Sequence, residues 1–198
     1  MINLVIVVLL WAVIFGGSNY LKVKKGYSYI GNYFIFTGGF VLSSLFILST
    51  FSNEIFSATQ IQIIISLSVL AALLLIKVFS RSFLVKTHDL SRLVGDTMSK
   101  FSEVFTQQLL IYLMLVYSNQ SLLLFCICFL ALRLPLFFFL RTKDAVILCV
   151  SALFGGLVFA SVYMNLSFPF VVALVVHLIF YILLDVLYVY KRWKPILL

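Results

Sequence analysis

Four ionisable residues lie inside otherwise apolar stretches of this chain: Glu103, Arg133, His177 and Asp185. Ionisable groups in such surroundings are expensive, so they are candidates for function by default. Their types allow two kinds of chemistry. A carboxylate and an imidazole could move protons in a hydrolytic reaction, or the set could pair internally and do no more than satisfy its own buried charges. His177, Tyr181 and Asp185 follow one another at i, i+4 and i+8, which stacks them on one face of a helix. With Ser102, Glu103 and Gln107 on a second helix and Arg133 on a third, they are expected to line one cavity. H-E-x-x-H, G-x-S-x-G and P-loop signatures are absent from the sequence. His88 is the only other histidine, so no metal site and no cofactor are expected. Cys126 and Cys128 are two apart and point in different directions on a helix, a poor geometry for a shared metal. With Cys149 they read as small packing residues.

The elements that hold these residues follow from composition. Of the 198 residues, 64% are hydrophobic and only 10% charged, with a mean hydropathy of +1.22. A soluble domain carries roughly 25% charged residues. So few charges cannot cover a water-facing surface. The apolar runs are continuous rather than alternating, which argues against a membrane β-barrel. The predicted fold is an all-α polytopic transmembrane bundle forming one domain over 1–198. Seven spans are expected at about 2–17, 29–51, 61–76, 103–118, 121–140, 145–164 and 168–190. The first three occupy 1–76, an amphipathic cytosolic connector covers 77–100, and the last four form a core over 101–190. No positive side chain precedes the first run, so it reads as a retained anchor rather than a cleaved signal.

Thirteen of the 14 Lys+Arg residues fall in the connections after spans 1, 3 and 5 or in the C-terminal tail, and none in the other connections. The net charge of +8 is therefore a topological signal and not a nucleic-acid footprint. It predicts an N-terminus outside and a C-terminus in the cytosol, with Tyr188, Tyr190 and Trp193 as an inner interfacial anchor. On span 6, Ala152, Gly156 and Ala160 form a small-xxx-small packing stripe. The expected setting is a plasma membrane, multi-pass and bacterial, with the lipid bilayer and another membrane protein as partners.

Three segments carry a family resemblance. Ser102-Glu103-Val104-Phe105-Thr106-Gln107, Phe129-Leu130-Ala131-Leu132-Arg133 and His177-Leu178-Ile179-Phe180-Tyr181 resemble the E-E-x-x-x-R, F-x-x-x-H and H-x-x-x-N/D motifs of one family. It is the CAAX-prenyl-protease and bacteriocin-processing family of integral membrane proteins (CPBP, or Abi). Leu134-Pro135-Leu136-Phe137, the segment from Ala152 to Tyr163, and Ser167-Phe168-Pro169 resemble its flanking text. The resemblance covers about 90 residues between 98 and 185 and implies a four-helix core. It also implies that the water-activating glutamate is replaced by Ser102, the oxyanion-stabilising histidine by Arg133, the arginine by Gln107 and the final Asn/Asp by Tyr181. Of the family's catalytic positions, only Glu103 and His177 remain. The expectation is a catalytically silent relative that binds and regulates or scaffolds another membrane or cell-envelope protein. One alternative is an active glutamate-type intramembrane peptidase, for bacteriocin processing or immunity, using Glu103 and His177. A second is a small-molecule binding subunit of a transporter.

Overall fold

A computed structural model describes residues 2–27, 32–53, 55, 90–119, 121–133, 137–138, 142–166 and 169–191. The predicted span at 61–76, the connector from 77 to 89, Glu54 and the tail beyond Lys191 lie outside the described residues, as does the side chain of Asp185. Six helices are described: α1 (Ile2–Lys25), α2 (Tyr33–Thr50), α3 (Leu90–Tyr117), α4 (Leu122–Ala131), α5 (Thr142–Asn165) and α6 (Pro169–Lys191). No strand occurs among the described residues. Helices α1 and α2, and Ala145–Asn165 of α5, are long and apolar enough to cross a membrane.

Helix α3 is the central element and touches each of the other five described helices. Its mid-section from Val104 to Leu115 is almost entirely buried, with Leu109, Leu110 and Leu113 fully enclosed and Thr106, Gln107 and Gln108 as its polar members. Helix α1 reaches this core with Leu4, Val7, Trp11, Phe15 and Ser18, a seam recurring every three or four residues. Helix α2 lies along α3 with Phe36, Phe40, Ser44 and Ile47 turned inward. Small side chains let these two backbones approach: Gly95 lies so close to the Tyr33 ring that a Cβ there would stand 2.5 Å from its Cγ. Hydroxyls bind the seam from within, because lipid offers no alternative partner. Thr37 Oγ1 and Ser99 Oγ are 3.0 Å apart, Ser44 Oγ and Thr106 Oγ1 2.8 Å, and Thr106 Oγ1 donates to the Phe40 carbonyl at 3.1 Å. The opposite faces carry Val5, Leu9 and Val13 on α1, and Leu42, Leu45 and Phe46 on α2, all exposed and suited to lipid.

Three elements differ from the sequence expectation. The first span, predicted over 2–17, is a helix that continues to Lys25. The fourth span, predicted over 103–118, belongs to a helix that already runs from Leu90. Asp96, Thr97, Ser99 and Lys100, assigned to a surface connector, are buried. Helix α2 packs along this end of α3, where Thr37 meets Ser99, and Tyr181 of α6 covers Lys100. The fifth span, predicted over 121–140, is a helix of only ten residues, ~15 Å long and about half of a ~30 Å hydrocarbon core. Ser121 caps its start by accepting from the Leu124 amide at 3.4 Å. Its end tightens into a turn in which the Arg133 amide donates to the Leu130 carbonyl at 2.9 Å. Pro135 follows in the sequence; a proline has no amide hydrogen and biases the residue before it away from helical geometry. The small stripe on α5 packs as its composition implies. A Cβ at Gly156 would stand 2.8 Å from Cδ1 of Phe129, and Ala160 is fully buried.

Candidate functional site

The polar residues of α3 divide between two faces. Ser99 and Thr106 serve the seam with α2, whereas Lys100, Glu103, Gln107 and Gln108 form a separate buried group. Lys100 and Glu103 are one turn apart on the helix, and their charged ends meet at 2.9 Å with each side chain only 8% exposed. The second carboxylate oxygen, Oε1, accepts from Gln107 Nε2 at 3.2 Å. Both oxygens of Glu103 are thus engaged by donors from its own helix.

Helix α6 closes the group. Its His177 and Tyr181 stack at 5.2 Å between ring centroids with an interplanar angle of 20°, as their i, i+4 spacing requires. The Lys100 ammonium stands 4.0 Å from the centroid of the Tyr181 ring, so the cation rests between a carboxylate and an aromatic face. Gln108 Nε2 lies 2.8 Å from His177 Nδ1, and Gln108 Oε1 accepts from the Tyr163 hydroxyl of α5 at 3.0 Å. With the amide donating, the imidazole accepts at Nδ1 and carries its proton on Nε2. Phe159 packs on the other side of the imidazole at 5.1 Å, and Tyr112 lies 5.7 Å from Tyr163.

Of the residues expected to share a cavity, the structure brings Glu103, Gln107, His177 and Tyr181 to one place. Ser102 belongs elsewhere: its hydroxyl donates to the Met98 carbonyl of its own helix at 2.8 Å. Arg133 lies at the edge of this group, within electrostatic reach of Tyr181, Glu103 and His177, and rests on aromatic rings. Its guanidinium carbon lies 5.6 Å from the Trp11 ring centroid and 5.7 Å from that of Phe129. Among the described residues it makes no ion pair, and its buried Nε has no hydrogen-bond partner. Of the partners expected for Arg133, Glu103 is held by Lys100 and the side chain of Asp185 lies outside the described residues, while Trp11 and Phe129 flank the guanidinium. Three contributors went unrecognised in the sequence. Lys100 was assigned to a loop, although its i, i+3 spacing from Glu103 was visible. Gln108 and Tyr163 carried a weaker signal, a second amide beside Gln107 and a tyrosine within an apolar run. No group of three His, Cys, Asp or Glu able to hold a metal ion occurs among the described residues.

Fold and site together define an all-helical protein with apolar, lipid-compatible faces around a desolvated charged and amide centre. Comparison of the chain with family models, curated proteins and solved structures finds no match.

Proposed function

We propose that this chain is a catalytically silent relative of the CPBP family, embedded in a bacterial plasma membrane, that binds and regulates or scaffolds another membrane or cell-envelope protein. The observation that carries the reading is the engagement of both Glu103 oxygens by Lys100 and Gln107. A general base needs an oxygen directed at the water it deprotonates. Here each oxygen is directed at a donor, and Ser102, at the position of the family's water-activating glutamate, spends its hydroxyl on its own helix. His177 is similarly committed, with Nδ1 against Gln108 and its ring between Phe159 and Tyr181. Such an arrangement stabilises and orients helices and leaves recognition to their outer faces and short turns.

In this reading the bundle has seven spans, an outer N-terminus and a cytosolic C-terminus, supported by the asymmetry of the basic residues. The test is affinity purification of the full chain in mild detergent, from wild type and from Glu103→Gln and His177→Ala variants that remain monodisperse. A stoichiometric membrane partner retained by the variants is expected. A defined peptide cleavage product that disappears in both variants would instead establish the peptidase alternative.

A further inference from the structure

Three lysines close helix α1, and they face two ways. Lys22 is turned into the bundle, 5.8 Å from the Phe36 ring centroid and within electrostatic reach of Glu103. Lys24 and Lys25 are exposed and make no ion pair among the described residues. The sequence holds no Asp or Glu before Glu54, so this part of the chain supplies them no carboxylate.

Their surroundings are aromatic. Tyr20 is exposed one turn before Lys24, at i, i+4, on the side of α1 opposite the buried Trp11, Phe15 and Ser18. The same side carries the exposed Leu9 and Val13. After Lys25 the backbone turns back at Gly26, with φ of +69°, and the Tyr27 amide donates to the Leu21 carbonyl at 3.1 Å. That bond holds Tyr27, also exposed, at the helix end. An apolar strip therefore leads down a helix long and apolar enough to cross a membrane and stops at a rim of two tyrosines and two lysines.

Depth and charge select what covers it. Tyrosine rings settle at the headgroup level of a bilayer, and lysine stems lie along apolar surface while carrying the ammonium to the same level. From Tyr20 to Leu9 is ~16 Å along the helix, about half of a ~30 Å hydrocarbon core and so the depth of one leaflet. A phosphodiester at the rim meets two ammonium groups and two hydroxyls while its acyl chains lie on Val13 and Leu9. A soluble anion would use the rim and leave the strip bare. A zwitterionic lipid would bring a cation of its own against the lysines.

We propose that Tyr20, Lys24, Lys25 and Tyr27 form a headgroup site for an anionic phospholipid, whose acyl chains lie along the Leu9–Val13 side of α1. The site is independent of the protein partner proposed above.

The test is native mass spectrometry of the full chain in mild detergent, titrated with phosphatidylglycerol or with phosphatidylcholine of the same acyl chains. Phosphatidylglycerol should be retained more tightly. Lys24→Gln and Lys25→Gln should each weaken its binding about fivefold, the order of one ammonium near an anionic surface, and leave phosphatidylcholine unchanged. Lys143→Gln, which removes an exposed lysine from the start of α5, should change neither. All three positions are exposed, so the variants should melt as wild type does. Equal retention of the two lipids overturns the site. So does a loss in Lys143→Gln as large as that in Lys24→Gln, which would reduce the effect to general surface charge. Displacement of the lipid by millimolar inorganic phosphate would assign the rim to a soluble anion instead. Disulfide-linked dimers of Tyr20→Cys in phosphatidylglycerol vesicles, beyond those of wild type, would give this side of α1 to a second copy and equally refute the lipid site.

Discussion

Removing the charge of Glu103 should expose how much of the bundle's stability depends on one buried ion pair. At 2.9 Å the Lys100–Glu103 attraction is about 6 kcal/mol for an effective dielectric constant of ~20. Several kcal/mol of desolvation per ion oppose it, so the intact pair adds little net stability. The balance changes when one member is neutralised, because the other stays buried without its counter-charge. Glu103→Gln preserves shape and an oxygen able to accept from Gln107, and should destabilise by roughly 3–5 kcal/mol. Lys100→Met should cost less, because Lys22 and Arg133 also lie within electrostatic reach of Glu103. The double variant, holding neither charge, should be more stable than the sum of the two losses implies, by up to about 3 kcal/mol. The assay is reversible unfolding in mixed detergent micelles, followed by helical circular dichroism for all four members of the cycle. Strict additivity would refute the pairing and, with it, the claim that Glu103 is committed to structure.

Gln108→Leu should destabilise by about 1–3 kcal/mol, because it strips a partner from both His177 Nδ1 and the Tyr163 hydroxyl; chemical unfolding checks it, and an effect no greater than that of an exposed Leu123→Ala control would refute the network. Gly156→Val should cost about 1–3 kcal/mol by forcing Phe129 aside, whereas Gly155→Val, where an added Cβ meets nothing, should be tolerated; thermal melting separates the two. Tyr181→Leu should cost about 1–2 kcal/mol through loss of the aromatic face under Lys100, and the loss should shrink in a Lys100→Met background. For topology, a membrane-impermeant thiol reagent applied to intact cells should label Asn119→Cys in the exposed turn after α3 and leave Lys25→Cys unlabelled; the reverse pattern would invert the orientation.

Much of the architecture was legible in the residues themselves. The scarcity of charge and the long apolar runs require helices in lipid, since only fully hydrogen-bonded backbones persist there. Helices α2, α5 and α6 lie close to the runs that predicted them, whereas α1 continues past its expected end near residue 17 to Lys25. The i, i+4 relation of His177 and Tyr181 sufficed to place them face to face, because local helix geometry determines such contacts. Pro135 lies within the apolar run that suggested a span to 140, and the chain leaves helical geometry after Ala131, four residues before it.

What only the tertiary structure decided is which polar group meets which. Lys100 reads in the sequence as one more loop cation; the helix that begins at Leu90 sets it one turn from Glu103, and Tyr181 of α6 covers it. The fate of Arg133 shows the same limit. Its charge and its depth were evident from its place in an apolar run, and a carboxylate was the natural partner to assign. Yet Glu103 is held by a lysine one turn away on its own helix, and α1 brings Trp11 to the guanidinium. Spacing along a helix specifies neighbours within that helix. Competition among buried groups for a limited set of partners is settled between helices, where sequence separation carries no distance.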